Sequence, residues 1–420
     1  MDRIFYLSGP GNIIDSHGHW KARRQNPTEV SLTFSGQVQD ACKAIGARGY
    51  FVASYGKHEL LIDDDFTMEH RPKGVYGGAR FHLNELRYAI GLVHTARKFG
   101  AQVAVVDSGC VHSFLLILFR LVGIKVVPVL HNALWPSGFP PQKLISRLVL
   151  GLDALFWRWG PSAVLAVSPE CQRQLEQIAP QHRYPIYQMR AQFYPNYFAR
   201  IPPPPAHSQR PFRVMYVGRI VRNKGVFDIL TMARAIEDSH PGLVRWELCG
   251  KGIDFDDLKA LHQRLQLHSV VNLRGWTSPE DQISIYATSH ASIVPTTSGF
   301  AEGLSMAAAE AVLSGRPVVT NPIVPALEVL RSACVAAKPD DPSSYAEAVV
   351  KLATDSALYE RCRQSCAQYQ AQFYDRSLGF AAVLQRALVG DVAAEVVPEA
   401  AADVGLDIES PEAPEATEAT

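Results

Sequence analysis

Short apolar runs alternate with helical patterns along nearly the whole chain, and this alternation constrains the fold more than any other feature. Apolar runs of about five residues, bounded by turn-forming residues, have the length and composition of buried strands. In the first half, strands are predicted at residues 3–7, 49–54, 102–106, 125–130 and 163–167. Helical patterns fall between them, at residues 30–45, 81–99, 111–122 and 143–159. This alternation predicts an α/β protein with parallel sheets.

A run of prolines from Pro202 to Pro205 divides the alternation into two halves. Such a run cannot continue a helix or a central strand, so it predicts a domain boundary. The second half repeats the pattern, with strands predicted at residues 212–217, 244–248, 270–273, 292–294 and 317–320. Two Rossmann-like domains are therefore predicted, at 1–200 and 212–375, with a linker at 201–211 and a last helix at 376–389.

Charge is unevenly distributed, although the formal net charge of the chain is zero. Residues 391–420 contain nine acidic residues and no Lys or Arg, which leaves 41 basic residues against 32 acidic ones elsewhere. A segment so rich in Pro, Ala and Glu cannot bury enough apolar surface to order itself, so a disordered tail is predicted at 390–420. The mildly basic body suits an anionic ligand or membrane surface, and its charge is too low to predict nucleic-acid binding.

The seven cysteines are scattered, their number is odd, and no C-x-x-C pair occurs. Buried thiols in a reducing compartment are therefore expected. The N-terminus lacks a signal-peptide pattern, and no apolar run reaches the length of about 18 residues that indicates a spanning helix. We predict a cytoplasmic protein and leave open a position at the inner face of the membrane.

Two glutamates, Glu302 and Glu310, lie eight positions apart in a segment predicted to be one helix. A rise of about 1.5 Å per residue separates them by about 12 Å. That is wider than the roughly 5–9.5 Å of a carboxylate acid/base pair. The spacing suits the two ends of an extended nucleotide-sugar, whose diphosphate would face the amides of Gly303, Leu304 and Ser305. Acidic pairs also occur on ordinary solvated helices, so this interpretation needs further support.

A basic loop earlier in the chain supplies that support. Residues 212–217 have the pattern of a buried strand, and the following loop contains Arg219 and Lys224. Open α/β sheets bind ligands at the carboxyl ends of their strands. Arg binds phosphate oxygens in a fork, and Lys adds a compact charge. The two basic side chains therefore predict a phosphate site.

The order of these motifs resembles that of family 4 glycosyltransferases, which have the GT-B fold. The motifs are Gly218-Arg219 with Lys224-Gly225, Gly250-Lys251-Gly252, Asn272-Leu273-Arg274-Gly275, the two glutamates, and Gly315-Arg316-Pro317-Val318-Val319. The resemblance is strong over residues 212–330 and weaker over the first 200. It implies an N-terminal acceptor domain facing a nucleotide-sugar-binding domain across a cleft, with a last helix that crosses back onto the first domain.

The resemblance also implies roles for particular residues. In that family an Arg and a Lys bind the donor diphosphate, one Glu contacts the transferred sugar, and a second Glu contacts the ribose. By position these are Arg219 and Lys224, then Glu302 and Glu310. The implied reaction is retaining and needs no metal and no cofactor, because the nucleotide-diphosphate sugar is a co-substrate.

A glycine-containing loop, with Gly9 and Gly11, follows the first predicted strand. Glycines at this place let a backbone approach a ligand closely, and the family resemblance implies contact with donor phosphate or acceptor. An ordinary turn is the alternative interpretation. The segment is not G-x-G-x-x-G, which argues against a nicotinamide dinucleotide fold.

Two aromatic side chains at strand ends complete the candidate site. His131 follows the strand predicted at 125–130, where the family often places an active-site histidine near the transferred sugar. Structural hydrogen bonding within the loop would explain His131 equally well. Trp276 follows the strand predicted at 270–273, where the family's loop borders the nucleobase, and simple surface packing is again the alternative.

Neither a metal site nor a membrane helix is predicted. Asp63, Asp64 and Asp65 superficially match a metal-binding D-x-D motif, but they lie in a predicted hairpin far in sequence from the phosphate-binding residues, so a solvated turn is expected. Residues 144–159 form an apolar helix with two arginines. Its apolar residues surround too much of the helix to define a membrane face, so core burial is predicted, with an interfacial helix as the alternative.

Together these features predict a glycosyltransferase acting on a nucleotide-diphosphate sugar, and the family resemblance implies that it is retaining and metal-independent. The acceptor is a glycan, a lipid-linked or a small-molecule hydroxyl, and peripheral membrane contact is left open. A GT-B-fold nucleotide-sugar epimerase would use the same donor contacts without an acceptor. A non-catalytic nucleotide-sugar-binding protein would keep the phosphate site alone.

Overall fold

The structure is a computed structural model that describes residues 1–390, so the tail predicted at 390–420 lies outside the described residues apart from Gly390. Two sheets and their connecting helices make up this part of the chain, which confirms the α/β class. No helix within residues 1–390 combines the length and apolar character needed to cross a membrane.

The N-terminal sheet has eight strands in the part of the chain described. They are β1 (Arg3–Ser8), β2 (Arg48–Ala53), β3 (Glu59–Asp63), β4 (Phe66–His70), β5 (Val103–Asp107), β6 (Lys125–Leu130), β7 (Val164–Ala166) and β8 (Ile186–Gln188). Their order is β3-β4-β2-β1-β5-β6-β7-β8, with β3 and β4 antiparallel. The helices of this half are α1 (Ile13–Lys21), α2 (Phe34–Ala44), α3 (Gly78–Phe99), α4 (Ile117–Leu121), α5 (Leu144–Trp159), α6 (Pro169–Ile178) and α7 (Pro195–Ala199).

The C-terminal sheet, over the same described range, has six parallel strands. They are β9 (Phe212–Val217), β10 (Val244–Cys249), β11 (Val271–Gly275), β12 (Ala291–Val294), β13 (Val318–Thr320) and β14 (Cys334–Ala336), in the order β11-β10-β9-β12-β13-β14. The helices are α8 (Val226–Ser239), α9 (Phe255–Arg264), α10 (Pro279–Thr288), α11 (Met306–Leu313), α12 (Ala326–Leu330), α13 (Pro342–Thr354), α14 (Ser356–Gln370) and α15 (Phe380–Val389).

The order of strands reverses direction once in each sheet, between β1 and β5 and between β9 and β12. At such a reversal the connecting segments leave on opposite sides and open a crevice at the carboxyl ends of the strands, which is where open α/β sheets bind ligands. Gly9 and Gly11 follow β1, and Arg219 and Lys224 follow β9. Most of the predicted site residues therefore come directly after strands that border these two crevices.

The end of the described chain packs on the N-terminal half. The helix α15 contacts α2, and the backbone amide of Phe380 donates to Gln37 Oε1 at 2.9 Å. Backbone hydrogen bonds also join Phe193 to Phe373 and Arg190 to Leu378. The chain therefore returns to the first sheet, although the predicted helix at 376–389 begins only at Phe380, after a 3-10 turn. The exact domain limits stay predictions.

Several local predictions were wrong at element boundaries. The helix expected from Glu302 begins at Met306, because Ser305 adopts a non-helical φ of 79° and its hydroxyl caps the amide of Ala308. The helix α1 and the three-residue strands β8 and β14 were not predicted. Helix α1 has weak apolar periodicity, and three-residue strands are too short to produce a recognisable pattern.

Core burial of the apolar helix at 144–159 was also wrong for most of its apolar residues. Only Phe156 and Trp157 of α5 are fully buried. Six other large apolar side chains are at least 47% exposed, namely Leu144, Ile145, Leu148, Leu152, Leu155 and Trp159. Their spacing of three and four residues places them on one side of the helix, which therefore presents an apolar surface.

Candidate active site

The loop after β9 is held close to its neighbours by glycines. Gly225 has a left-handed φ of 74°, and a Cβ there would lie 2.0 Å from the carbonyl oxygen of Pro295. Gly250, at the end of the adjacent strand, would likewise place a Cβ 1.8 Å from the carbonyl oxygen of Gly218. The Tyr216 hydroxyl donates to the Arg219 carbonyl at 2.7 Å. Only glycine allows these approaches, so this path of the loop requires glycine at both positions.

Lys224 and Glu302 form an ion pair at the centre of this site. The Lys224 ammonium donates to both carboxylate oxygens, at 2.6 and 3.0 Å, and Thr296 donates to one of them at 3.1 Å. Burial lowers the pKa of Lys224, and the facing carboxylate opposes that shift. The ammonium also lies 3.9 Å from the ring centre of Phe300. Two predicted site residues thus neutralise one another in a largely buried position.

Arg219 extends from the same loop into solvent and is exposed. Its guanidinium lies 5.8 Å from the ring centre of Phe300, and within residues 1–390 no carboxylate pairs with it. The neighbouring Arg222 differs, because it pairs with Asp257 at 2.7 Å. Arg219 is therefore the basic side chain of this loop that is available to an anion.

The two halves of the chain meet beside this ion pair. The amide of Ala133 donates to the carbonyl oxygen of Glu302 at 3.3 Å. A Cβ on Gly303 would lie 1.8 Å from the carbonyl oxygen of His131, so the two backbones touch. His131 and Glu302, far apart in sequence, are consequently neighbours.

A chain of hydrogen bonds holds the imidazole of His131. Its Nε2 lies 2.9 Å from Asp107 Oδ1, and the Tyr6 hydroxyl donates to Asp107 Oδ2 at 2.6 Å. Burial, reinforced by the charge of Asp107, raises the pKa of Tyr6, so the phenol stays protonated. A carboxylate accepts hydrogen bonds, which places the imidazole proton on Nε2. The buried Nδ1 then has a free lone pair and no partner within residues 1–390.

Asp107 and Phe34 are site residues that the sequence analysis missed. The ring of Phe34 packs on the imidazole of His131 at a centroid distance of 4.3 Å. Asp107 ends β5, the strand beside β1 at the point of reversal. Its place at a strand end, next to the strand that leads to His131, was a usable signal.

Glu310 lies further along α11, in a half-buried position near Tyr286, whose hydroxyl is 3.5 Å from the carboxylate. Burial raises the pKa of Glu310 to about 7. Burial and, to a smaller extent, the charge of Glu310 also raise the pKa of Tyr197, which comes from the first half of the chain. Near neutral pH this carboxyl group is thus poised between its charged and neutral forms.

The three amides expected at the helix start are arranged differently. Gly303 and Leu304 precede the helix, and Leu304 is buried in the core. Ser305 is the N-cap of α11, so the amides without intrahelical partners that begin the helix belong to Met306 and Ala307. The expectation that Gly303, Leu304 and Ser305 lie within the start of the helix was therefore wrong, and their predicted contact with the donor diphosphate stays a prediction.

The remaining candidates lie at the rims of the crevices. A Cβ on Gly9 or Gly11 would meet no atom within 4 Å, so the fold itself does not require glycine there. Trp276 follows β11 and is 38% exposed. Their predicted ligand contacts stay predictions.

No metal site is apparent in the described part of the chain, where no three His, Cys, Asp or Glu side chains are grouped to hold an ion. Asp63 instead binds Lys21 and His17, and Asp65 binds Lys43. Two of the three aspartates, Asp63 and Asp65, are therefore engaged in ion pairs within the N-terminal half.

Comparisons with known proteins agree with this architecture. Residues 198–368 match the family model for glycosyl transferases group 1. Sucrose-phosphate synthase from Thermosynechococcus elongatus shares 14% identity over 93% of this chain and 98% of that chain, with a TM-score of 0.67. The E. coli trehalose-6-phosphate enzyme bound with UDP-2-fluoro glucose shares 13% identity over 94% and 100%, with a TM-score of 0.66.

A third similar structure is that of Anabaena Alr3699/HepE in complex with UDP and glucose. It shares 16% identity over 92% of this chain and 99% of that chain, with a TM-score of 0.62. A comparison with curated protein sequences found no match. The match of residues 198–368 to the group 1 family model and the fold shared with these structures agree with the resemblance seen in the sequence motifs and with the predicted GT-B fold.

We expect Gly303→Ala to separate the two halves at their contact. The added methyl group would lie 1.8 Å from the carbonyl oxygen of His131, and a backbone atom cannot move aside as a side chain does. Glycosyl transfer should fall at least about tenfold, because a misplacement of about 1 Å is enough to cost that much. Gly299→Ala is the matched control, since its methyl group would make only ordinary contacts, with the Thr297 hydroxyl at 3.4 Å and Asn223 Cβ at 3.6 Å. Equal activity of the two variants would contradict the conclusion that the site depends on the close contact between Gly303 and His131.

We expect Glu310→Gln to change stability in a pH-dependent way. The folded-state pKa of about 7 lies above that of an unfolded glutamate, near 4.3, so the folded state binds more protons between these values. The destabilising effect of Glu310 therefore grows from pH 5 to pH 8 and is removed in the variant. The Tm difference, variant minus wild type, should be about 2–4 °C larger at pH 8 than at pH 5. A pH-independent difference would refute the raised pKa.

Proposed function

We propose that the chain transfers a sugar from a nucleotide-diphosphate sugar to an acceptor hydroxyl, with retention at the anomeric carbon and without a metal ion. The observation that carries this proposal is the Arg219 guanidinium, which pairs with no carboxylate within residues 1–390, beside the buried Lys224–Glu302 pair at the junction of the two halves. A phosphate group is the ligand that best matches a free guanidinium with an ammonium behind it.

Binding of the donor would redistribute the charges of this site. The Lys224 ammonium would donate a hydrogen bond to a diphosphate bound beside it. One oxygen of Glu302 would then be free to accept hydrogen bonds from sugar hydroxyls. Glu310, farther along α11, would accept hydroxyls from the ribose. A sugar end and a ribose end thus flank the phosphate position, as in an extended donor.

We further propose a uridine diphosphate sugar as the donor and a sugar hydroxyl as the acceptor. The similar E. coli structure contains UDP-2-fluoro glucose, and the similar Anabaena structure contains UDP and glucose. Because sequence identity to these proteins is low, the base and the sugar need direct testing.

The chemical step would exchange one bond for another on the same face of the sugar. A bond forms between the acceptor oxygen and the anomeric carbon, while the bond from that carbon to the phosphate oxygen breaks. The acceptor proton passes to the departing phosphate. Arg219 and Lys224 stabilise the negative charge that develops on the diphosphate. No additional cofactor enters this balance.

His131 would orient a hydroxyl group in this step. Its Nε2 proton is directed to Asp107, and its Nδ1, which is buried in this structure, would have to be uncovered on donor binding to accept a hydrogen bond from the transferred sugar. Asp107 acts through His131 and is a positioning residue, and Tyr6 in turn fixes the carboxylate.

Arg219→Ala should abolish most transfer while leaving the fold intact, because the guanidinium is exposed and has no carboxylate partner in the described residues. With labelled uridine diphosphate sugars, kcat/KM should fall about 100-fold or more. Arg222→Ala is the control, since that neighbouring arginine already pairs with Asp257. It should stay within about threefold of wild type.

The same assay separates the alternatives. Transferred glycan supports the proposal, whereas an epimerised donor or donor binding without turnover would contradict it in favour of an epimerase or a binding protein. Full activity of Arg219→Ala would contradict the proposal that Arg219 binds the diphosphate of the donor.

Asp107→Asn should lower kcat about 100-fold with little change in the donor KM. The asparagine amide would donate toward Nε2, which moves the imidazole proton to Nδ1 and removes the acceptor lone pair. Tyr6→Phe loses the hydrogen bond to Asp107 but keeps the carboxylate, so its kcat should fall much less. If both variants lowered kcat equally, a merely structural role for Asp107 would explain the result.

A further inference from the structure

One side of the N-terminal domain exposes an unusual number of large apolar side chains. On α5, Leu144 is 73% exposed, Leu148 61% and Leu155 63%. Water-exposed apolar residues are normal when they are scattered, but a contiguous set indicates a binding surface. The α5 set follows a three-and-four spacing over the whole helix, so it forms one continuous stripe.

The stripe continues onto neighbouring elements. Leu83, Leu86 and Ile90 share one side of α3 and are all exposed. The 3-10 turn at Ser113–Leu116 contacts both α3 and α5, and the following α4 exposes Leu121. We define these exposed apolar residues of α3, α4 and α5 as the apolar surface. Because it is formed by several elements, it is broader than the stripe of one helix.

The charges around the apolar surface have a single sign. Residues 71–100, 108–124 and 131–162 contain only two acidic residues, Glu85 and Asp153. Glu85 is buried against Lys73, and Asp153 accepts a hydrogen bond from the Phe114 amide. Neither carboxylate is therefore free to balance exposed positive charge.

Five exposed basic side chains border the apolar surface, and none of them pairs with a carboxylate within residues 1–390. They are Arg80, Arg87, Lys143, Arg147 and Arg158. Arg158 only contacts Gln181 and the ring of Trp159. The apolar residues lie beside these basic residues, and no acidic group lies between them. An anionic lipid bilayer has the matching arrangement, with an apolar interior next to a negatively charged headgroup layer. Hydrocarbon would take the apolar side chains, and headgroup phosphates would take the basic ones.

We propose that this surface docks the protein on an anionic membrane. A second copy of the chain is a poorer occupant, because a symmetric contact would bring two exclusively basic rims together. The acidic segment 391–420 matches the charge but contains only two residues of Leu or Ile size, Leu406 and Ile408, and no aromatic residue. An anionic bilayer could cover the whole apolar surface, and its negative headgroups would match the positive charge of the bordering residues.

Docking at this surface would set the position of the active-site crevice. Helix α3 is reached through a short loop from the carboxyl end of β4, and α5 through a loop from the carboxyl end of β6, which is followed by His131. An apolar groove lies between the first turns of the two helices, lined by Tyr76, Phe81, Leu144 and Ile145. The membrane would therefore lie near the carboxyl ends of the N-terminal strands, next to the crevice of the predicted acceptor domain. An acceptor with an apolar chain could reach the crevice from there.

The test is co-sedimentation of the full-length protein with vesicles. Vesicles of phosphatidylcholine alone are compared with vesicles that contain about one-third phosphatidylglycerol. Binding is expected only to the anionic vesicles and should weaken as salt is raised. Leu148→Asp should reduce the partition coefficient at least tenfold, and Arg147→Gln should reduce it severalfold. Ile253→Asp is the matched control, because Ile253 is 65% exposed but lies in the C-terminal half.

Other outcomes would overturn the proposal. Equal binding of Leu148→Asp and wild type, or no binding of wild type to anionic vesicles, would reject the apolar surface as the docking site. Oligomers that dissociate in Leu148→Asp, without vesicle binding, would assign the surface to a second copy. Binding that appears only after removal of residues 391–420 would assign it to that segment. Donor binding by Leu148→Asp, followed as a thermal shift, should equal wild type and keeps this test separate from the proposed transfer reaction.

Discussion

The structure depends on a contact between two pieces of backbone, where the α-carbon of Gly303 lies against the carbonyl group of His131. No side chain fits between them, so the loop that follows β12 can approach the residue that follows β6 closely. Glu302 and His131 become neighbours only because of this approach. The candidate active site is therefore a property of the junction, and neither half contains it alone.

Charge balance at that junction explains why the site can exist inside a folded protein. A buried ammonium or carboxylate is costly alone, and Lys224 and Glu302 offset this cost for each other. Arg219 avoids the cost by remaining exposed, and Glu310 does so by being partly protonated near neutral pH. An ion pair, exposure to solvent and partial protonation thus reduce the cost of placing these four ionisable groups in one candidate site.

The sequence predicted the architecture well because buried parallel strands are continuous apolar runs, such as Val103–Asp107 and Ala291–Val294. It also placed Arg219, Lys224 and Glu302 in one site, since residues that follow strands of one sheet converge at one edge. The position of Asp107 at a strand end could have marked it as a candidate, but its pairing with His131 also depends on strand order, which the sequence does not give. Nor could it predict the exposure of α5, since a helix that is apolar on most sides looks the same in sequence whether it is covered or not.

The start of α11 at Met306 has a further consequence. Glu302 lies on an irregular loop, whereas Glu310 belongs to a helix packed into the core. Under the proposed function, Glu302 contacts the transferred sugar and Glu310 the ribose, so substitutions beside Glu302 would alter the choice of sugar without disturbing α11. Selectivity for the transferred group would then change independently of recognition of the activated carrier.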